Sequence, residues 1–156
     1  MALGEWHTSI ITSMKDIVCS GALLYSLETN RFLFLHRANG KRNNVWGLAG
    51  GGNEEGETPF EGLSREIQEE IGTLNIKKTI PLETFISNDS KFHFHTYLCV
   101  VEKEFLPKLN NEHDGFAWVN FGKWPKPLHS GLMNTLNRKS NITKLKTVID
   151  VINLLD

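Results

Sequence analysis

Phe60, Leu63, Ile67 and Ile71 recur at intervals of three and four, an apolar stripe that predicts an amphipathic helix. Its ends are marked too: Thr58 suits the N-cap, Pro59 the first helical position, Glu61 completes a capping box and Gly72 supplies a stop. Elsewhere the pattern is that of strands. Cys19 to Tyr25 and Arg31 to His36 are apolar runs joined by a short turn through Glu28, Thr29 and Asn30. Ile76 to Ile86 reads as a strand broken by Pro81. Phe92 to Val101 begins by alternating, with Phe92, Phe94 and Thr96 on one face and His93, His95 and Tyr97 on the other. Phe116 to Val119 reads as a short strand. After Trp124-Pro125-Lys126-Pro127 the chain reads as helical, most clearly from Thr143 to Leu155, where Leu145, Ile149, Ile152 and Leu155 are spaced for burial. Strands interrupted by one central helix and closed by a terminal helix predict an α/β fold, a mixed sheet between helical layers.

Beside its apolar stripe the central helix carries Glu66, Glu69 and Glu70, three carboxylates within one turn. Like charges at this spacing cost roughly 0.2–0.5 kcal/mol per pair on an exposed helix. Arg65 is the only basic residue between Arg42 and Lys77, so local lysines do not balance the cluster. A solvated acidic face is the bland reading. Against it stands the preceding stretch Leu48-Ala49-Gly50-Gly51-Gly52-Asn53, read as a loop whose glycines permit close backbone approach. Loop and helix together point to a divalent cation, and hard oxygen donors select magnesium or manganese over zinc.

Gly51, five residues, Glu57, seven residues, then Arg65-Glu66-Ile67-Gln68-Glu69-Glu70-Ile71-Gly72 resembles the signature of the Nudix hydrolases. Every fixed position agrees except the last, where Thr73 replaces an aliphatic residue. The resemblance extends to Arg31–Arg37 and Val45–Leu48, with Ala49 where many members have proline, and to Glu112–Val119. It implies an α/β/α sandwich, one Nudix hydrolase domain over residues 1–156, and hydrolysis of a nucleoside diphosphate linked to another group. By position it implies Glu66, Glu69 and Glu70 as metal ligands for Mg2+, with Mn2+ a substitute, the Gly51 carbonyl a candidate for a further ligand, and Glu112, outside the signature, a candidate for an added one. Glu57, Arg65, Glu69, Glu70 and Glu112 would be catalytic, with Arg65 supporting Glu57 and the other carboxylates.

The remaining features narrow the partners. A net charge of −1 gives no global footprint for nucleic acid or an anionic membrane. Locally, Arg37, Lys41 and Arg42 precede the glycines and suit phosphate attraction. Trp46, Phe92 and Trp118 read first as core residues, with a face for stacking a base as the rival reading. Glu112 suits an added ligand or the base that prepares water, Asp114 is an alternative, and His93 and His95 are sheet-surface histidines with a metal pair as the rival reading. The segment from Trp124 to His129 is placed as a wall near the substrate. Cys19 and Cys99 lie in apolar runs and read as small buried residues, with no zinc spacing. No signal peptide and no stretch long enough to span a membrane is evident, which fits a cytoplasmic protein, monomer or homodimer.

The leading expectation is a magnesium-dependent pyrophosphohydrolase acting on a small nucleotide, a nucleoside triphosphate (modified or not) before a dinucleoside polyphosphate, nucleotide sugar or capped RNA end. The alternative of another class is a catalytically silent nucleotide-binding module. The intact set of Glu57, Arg65, Glu66, Glu69 and Glu70 argues against it.

Overall fold

Ile17–Ser26 forms β1, the strand around which the sheet is built. In the computed structural model, which describes residues 16–38, 43–72 and 74–155, β1 pairs with Arg31–Arg37 (β2) on one side and lies parallel to Phe92–Val101 (β6) on the other. Lys78–Ile86 (β5) closes that edge, antiparallel to β6. Trp46–Gly47 (β3) and His113–Asn120 (β7) both pair with β2, and Ala49–Gly52 (β4) pairs with β1. One parallel pairing among antiparallel ones makes the sheet mixed, as the sequence predicts.

Two apolar layers flank it. Leu63, Ile67 and Ile71 of the helix Pro59–Ile71 (α1) pack against Ala22, Leu24, Leu33, Leu35 and Cys99 on one face. Leu132 and Leu136 of Ser130–Asn137 (α2) join Leu145 and Ile152 of Lys139–Leu155 (α3) against Leu23, Phe32, Phe34 and Leu98 on the other. Each such side chain contributes roughly 1.5–3 kcal/mol by leaving water. The Glu83 carboxylate ties β5 to the second layer, accepting hydrogen bonds from Thr135, Arg138 and Asn141. The result is the α/β/α sandwich. Among the described residues no helix is long and apolar enough to cross a membrane.

Several local expectations need correction. The glycine stretch is not a loop: Ala49–Gly52 is a strand, registered Ser20 to Gly51 and Gly21 to Gly50. Pro81 does not break its strand, because the ladder shifts register between Pro81 and Glu83 and lets β5 continue. Phe60 leaves the apolar stripe: it lies at the helix start, 48% exposed, edge-on to Tyr97. Leu155 is likewise exposed, at the end of α3. Of the two cysteines only Cys99 is fully buried, whereas Cys19 is partly exposed. Lys41 and Arg42, placed near the substrate, and Thr73, the departure from the signature, lie outside the described residues.

Candidate active site

The start of α1 is built as its sequence dictates. The Thr58 hydroxyl accepts the Glu61 amide while the Glu61 carboxylate accepts the Thr58 amide, a complete capping box. The Ser20 hydroxyl on β1 donates to the Pro59 carbonyl, fixing the helix over the sheet. With this end fixed on the sheet, the carboxylates of α1 take defined places.

Arg65 organises one side of the cluster. Its Nε donates to Glu57 Oε2 at 2.8 Å and its Nη2 to Glu57 Oε1 at 3.1 Å. Nη2 also reaches the Gly52 carbonyl at 2.9 Å, and Nη1 reaches Glu66 at 3.0 Å and Glu69 at 3.3 Å. One guanidinium therefore joins the glycine strand to three carboxylates, using its planar fork of donors. Hydrogen bonding to Arg65 holds the Glu57 carboxyl below its usual range.

Glu66 faces the glycine strand so closely that a Cβ on Gly51 would lie 2.6 Å from its carboxylate carbon. Burial raises the Glu66 carboxyl, and the charges of Glu69 and Glu112 add to that rise while Arg65 opposes it. Glu70 goes deeper. It is 1% exposed, and its Oε1 accepts the Gly50 amide at 2.7 Å. Its Oε2 is buried without a hydrogen-bond partner, 3.4 Å from His113 Nδ1. One donor atom each from Glu70, Glu112 and His113 lie within 4.8 Å of one another. Glu112 is exposed at the mouth of this group. An orphaned carboxylate oxygen, a glycine that leaves room for a second carboxylate, and a third at the mouth fit a small divalent cation.

Burial pushes the Glu70 carboxyl from 4.5 up to about 8, with Glu112 and Glu66 adding to the rise and the Gly50 amide and Arg37 opposing it. Between these values the folded protein holds a proton that the unfolded chain has released. Its contribution is therefore fullest below the lower value and is lost as pH rises towards the upper one. Without divalent cation, the stability of the native protein relative to a Glu70→Gln variant is expected to fall by about 2–4 kcal/mol between pH 5 and pH 9. Urea unfolding in chelator across that range measures it, and a flat difference would contradict a buried charge at this position.

Not every expected residue converges here. The Glu69 side chain is 53% exposed and turned to Arg65, outside the three-donor group. Arg37 sits on β2 opposite His113, and its charge acts on both Glu70 and His113. Trp46 is half-buried against the core and edge-on to His36, whose Nδ1 meets Asp114. Backbone hydrogen bonds link Trp46 to Pro127 and His129, so the Trp124 to His129 segment braces Trp46 directly. Phe92 is 36% exposed and lies beside Phe85 and Phe94 on the sheet face opposite α1. Trp118 is partly buried against the core and donates to the Phe105 carbonyl. His93 and His95 are engaged by Ser90, Asp16 and Thr84 at the sheet surface.

His113 is the residue that sequence reasoning missed. Its side chain is 1% exposed and neither ring nitrogen has a hydrogen-bond partner among the described residues. Burial lowers the imidazole from its ordinary value, and the Arg37 charge lowers it further. Its only signal in the sequence is its place at the end of a polar stretch, where a strand begins.

A family model described as NUDIX domain matches residues 18–137. Dihydroneopterin triphosphate diphosphatase of Haemophilus influenzae is 32% identical over 117 residues, covering 65% of this chain and 72% of that protein. Nucleoside triphosphatase NudI of Escherichia fergusonii is 32% identical over 107 residues, covering 61% of this chain and 72% of that protein. Among solved structures, an Ap4A hydrolase of C. elegans in a binary complex aligns with a TM-score of 0.65 at 20% identity, covering 85% of this chain and 98% of that one.

Proposed function

The chain belongs to the Nudix family and is a hydrolase of phosphorus-containing anhydrides, and from that premise we propose that it is a magnesium-dependent pyrophosphohydrolase of a nucleoside triphosphate or a close analogue. The observation that carries the proposal is the buried Glu70 grouped with Glu112 at the mouth, beside Glu66, which lies against Gly51 and whose charge acts on Glu70. Both relatives above bear triphosphates in their names, which favours that class over a dinucleoside polyphosphate or a nucleotide sugar. The whole chain, residues 1–156, is read as one such domain, at home in the reducing cytoplasm that two free cysteines suit.

In this reading Glu66, Glu70 and Glu112, with Glu69 and the Gly51 carbonyl, would hold Mg2+ or Mn2+. When bound, such a cation neutralises charge on phosphoryl oxygens and makes water a better nucleophile near neutral pH. The residues of the chain supply the rest. Arg65 keeps Glu57, Glu66 and the Gly52 carbonyl in fixed relation, so the carboxylates need no reorganisation during the reaction. Arg37, whose charge acts on Glu70 and His113, would draw the polyphosphate, a role the sequence alone also suggests for Lys41. Glu112, exposed and adjacent to the cluster, would serve either as an added ligand or as the base that takes a proton from the attacking water. Phe92 with Phe85 and Phe94 offers ring surface to the base, and Gly21 lets Phe94 lie against the sheet, since a Cβ there would come within 3.2 Å of the ring.

A panel of nucleoside triphosphates, a dinucleoside polyphosphate and a nucleotide sugar, each with Mg2+, tests the proposal. A triphosphate is expected to yield monophosphate and pyrophosphate, at a kcat/KM at least about tenfold above the other classes, read by ion-exchange separation of products. Faster turnover of the nucleotide sugar, or orthophosphate as the sole inorganic product, would overturn the substrate assignment.

A further inference from the structure

Glu70 is held at one oxygen and unheld at the other. The Gly50 amide donates to Oε1 at 2.7 Å, whereas Oε2 is buried without a hydrogen-bond partner. The group nearest to completing it is the His113 imidazole, with Nδ1 3.4 Å from Oε2, and both of its own ring nitrogens lack partners among the described residues. Two unsatisfied buried polar groups facing each other are costly unless they pair. The chain places His113 there by a defined device. β7 runs antiparallel to β2 with His36 opposite Gly115, then shifts register so that His113 stands opposite Arg37. The extra residue, Asp114, is engaged by His36, and that engagement anchors the shift.

We propose that His113 is a positioning residue for Glu70: its Nδ1–H donates to Oε2 and, with the Gly50 amide on Oε1, fixes the plane of the carboxylate that receives the cation. A carboxylate has about four lone-pair sites, so two such bonds leave others for a metal. Groups that hydrogen-bond a ligating side chain set its orientation, and their loss commonly costs 10–100-fold in metal affinity. The inference rests on the reading of Glu70 as a ligand, and the test separates the two.

Mn2+ binding to the protein without substrate, measured by calorimetry, is compared in wild type, His113→Asn and His113→Gln. The Asn amide nitrogen reaches the place of Nδ1, and the Gln amide nitrogen that of Nε2. His113→Asn is expected to stay close to wild type, and His113→Gln to bind about 10–100-fold more weakly, with both variants showing native circular dichroism. The same split should appear in the Mg2+ concentration needed for half-maximal turnover, with KM for substrate at saturating metal unchanged. Equal affinity in all three proteins overturns the proposal, as does equal weakening in both variants. A direct nitrogen–manganese coupling in the spin-echo spectrum of the wild type also overturns it, since the imidazole would then be a ligand itself. Absence of Mn2+ binding in wild type would instead refute the cation site, and this proposal with it.

Discussion

Replacing Glu70 by Gln is expected to lower kcat by about 10³-fold while leaving the cation-free protein at least as stable as wild type at pH 8. The two halves of this expectation have one cause. Glu70 is 1% exposed, and burial pushes its carboxyl up to about 8, so without a cation the site is strained whenever that group ionises. Gln keeps the shape and can still accept the Gly50 amide at Oε1. It removes the charge that would bind a divalent ion. A purely structural Glu70 would behave differently, losing stability on substitution and activity only in proportion. The measurement is kcat at saturating triphosphate and Mg2+, alongside urea unfolding in chelator. Activity within tenfold of wild type would remove Glu70 from the metal-holding group.

Gly50→Ala is expected to destabilise the protein by about 3 kcal/mol or more, whereas Gly52→Ala, two residues along the same strand, costs less than about 1 kcal/mol. At Gly50 a Cβ would stand 2.0 Å from the Ser20 carbonyl oxygen and 2.8 Å from the Gly21 Cα, and both are backbone atoms of the central strand. Relief requires β4 to move off β1, which draws the Gly50 amide away from Glu70. At Gly52 the nearest atom is the Cys19 sulfur at 4.0 Å, an ordinary contact. Melting temperatures of the two variants decide the matter, with a drop on the order of 10 °C expected for the first. Similar melting points would mean that the close seam between β1 and β4 does not exist in solution.

The contrast between these glycines explains what the sequence could and could not reveal. Thr58, Pro59, Glu61 and Gly72 announce the ends of α1 because a capping box and a helix stop are local, made within a few residues. Ala49–Gly52 could not be recognised as a strand, since nearly side-chain-free residues carry no alternation to read. Periodicity placed Glu70 beside the apolar stripe but gave no depth. Only the approach of α1 to β4 and β1 buries it. Arg65 was legible as a support for Glu57 through its resemblance to a known signature, and the geometry adds the Gly52 carbonyl as a further acceptor. His113 was illegible for another reason. Its burial comes from a register shift between distant strands, and a polar stretch from Lys108 to Asp114 gives no hint of it.

The parallel ladder between β1 and β6 has a consequence for how the site comes into being. It joins Ile17 to Phe92 and Ser26 to Val101, and every rung closes a loop that contains the whole of α1. Such non-local pairings are slow to form, because chain closure must precede the contacts that reward it. β4 settles on β1 within that loop and gives Glu70 its depth, but His113 joins Glu70 only through the β2–β7 ladder, which links Arg37 to His113 and is as distant in sequence as the β1–β6 one. A cation that recognises the finished pocket would therefore bind late on the folding route. It would slow unfolding while leaving the refolding rate nearly unchanged, a kinetic lock on a site assembled last.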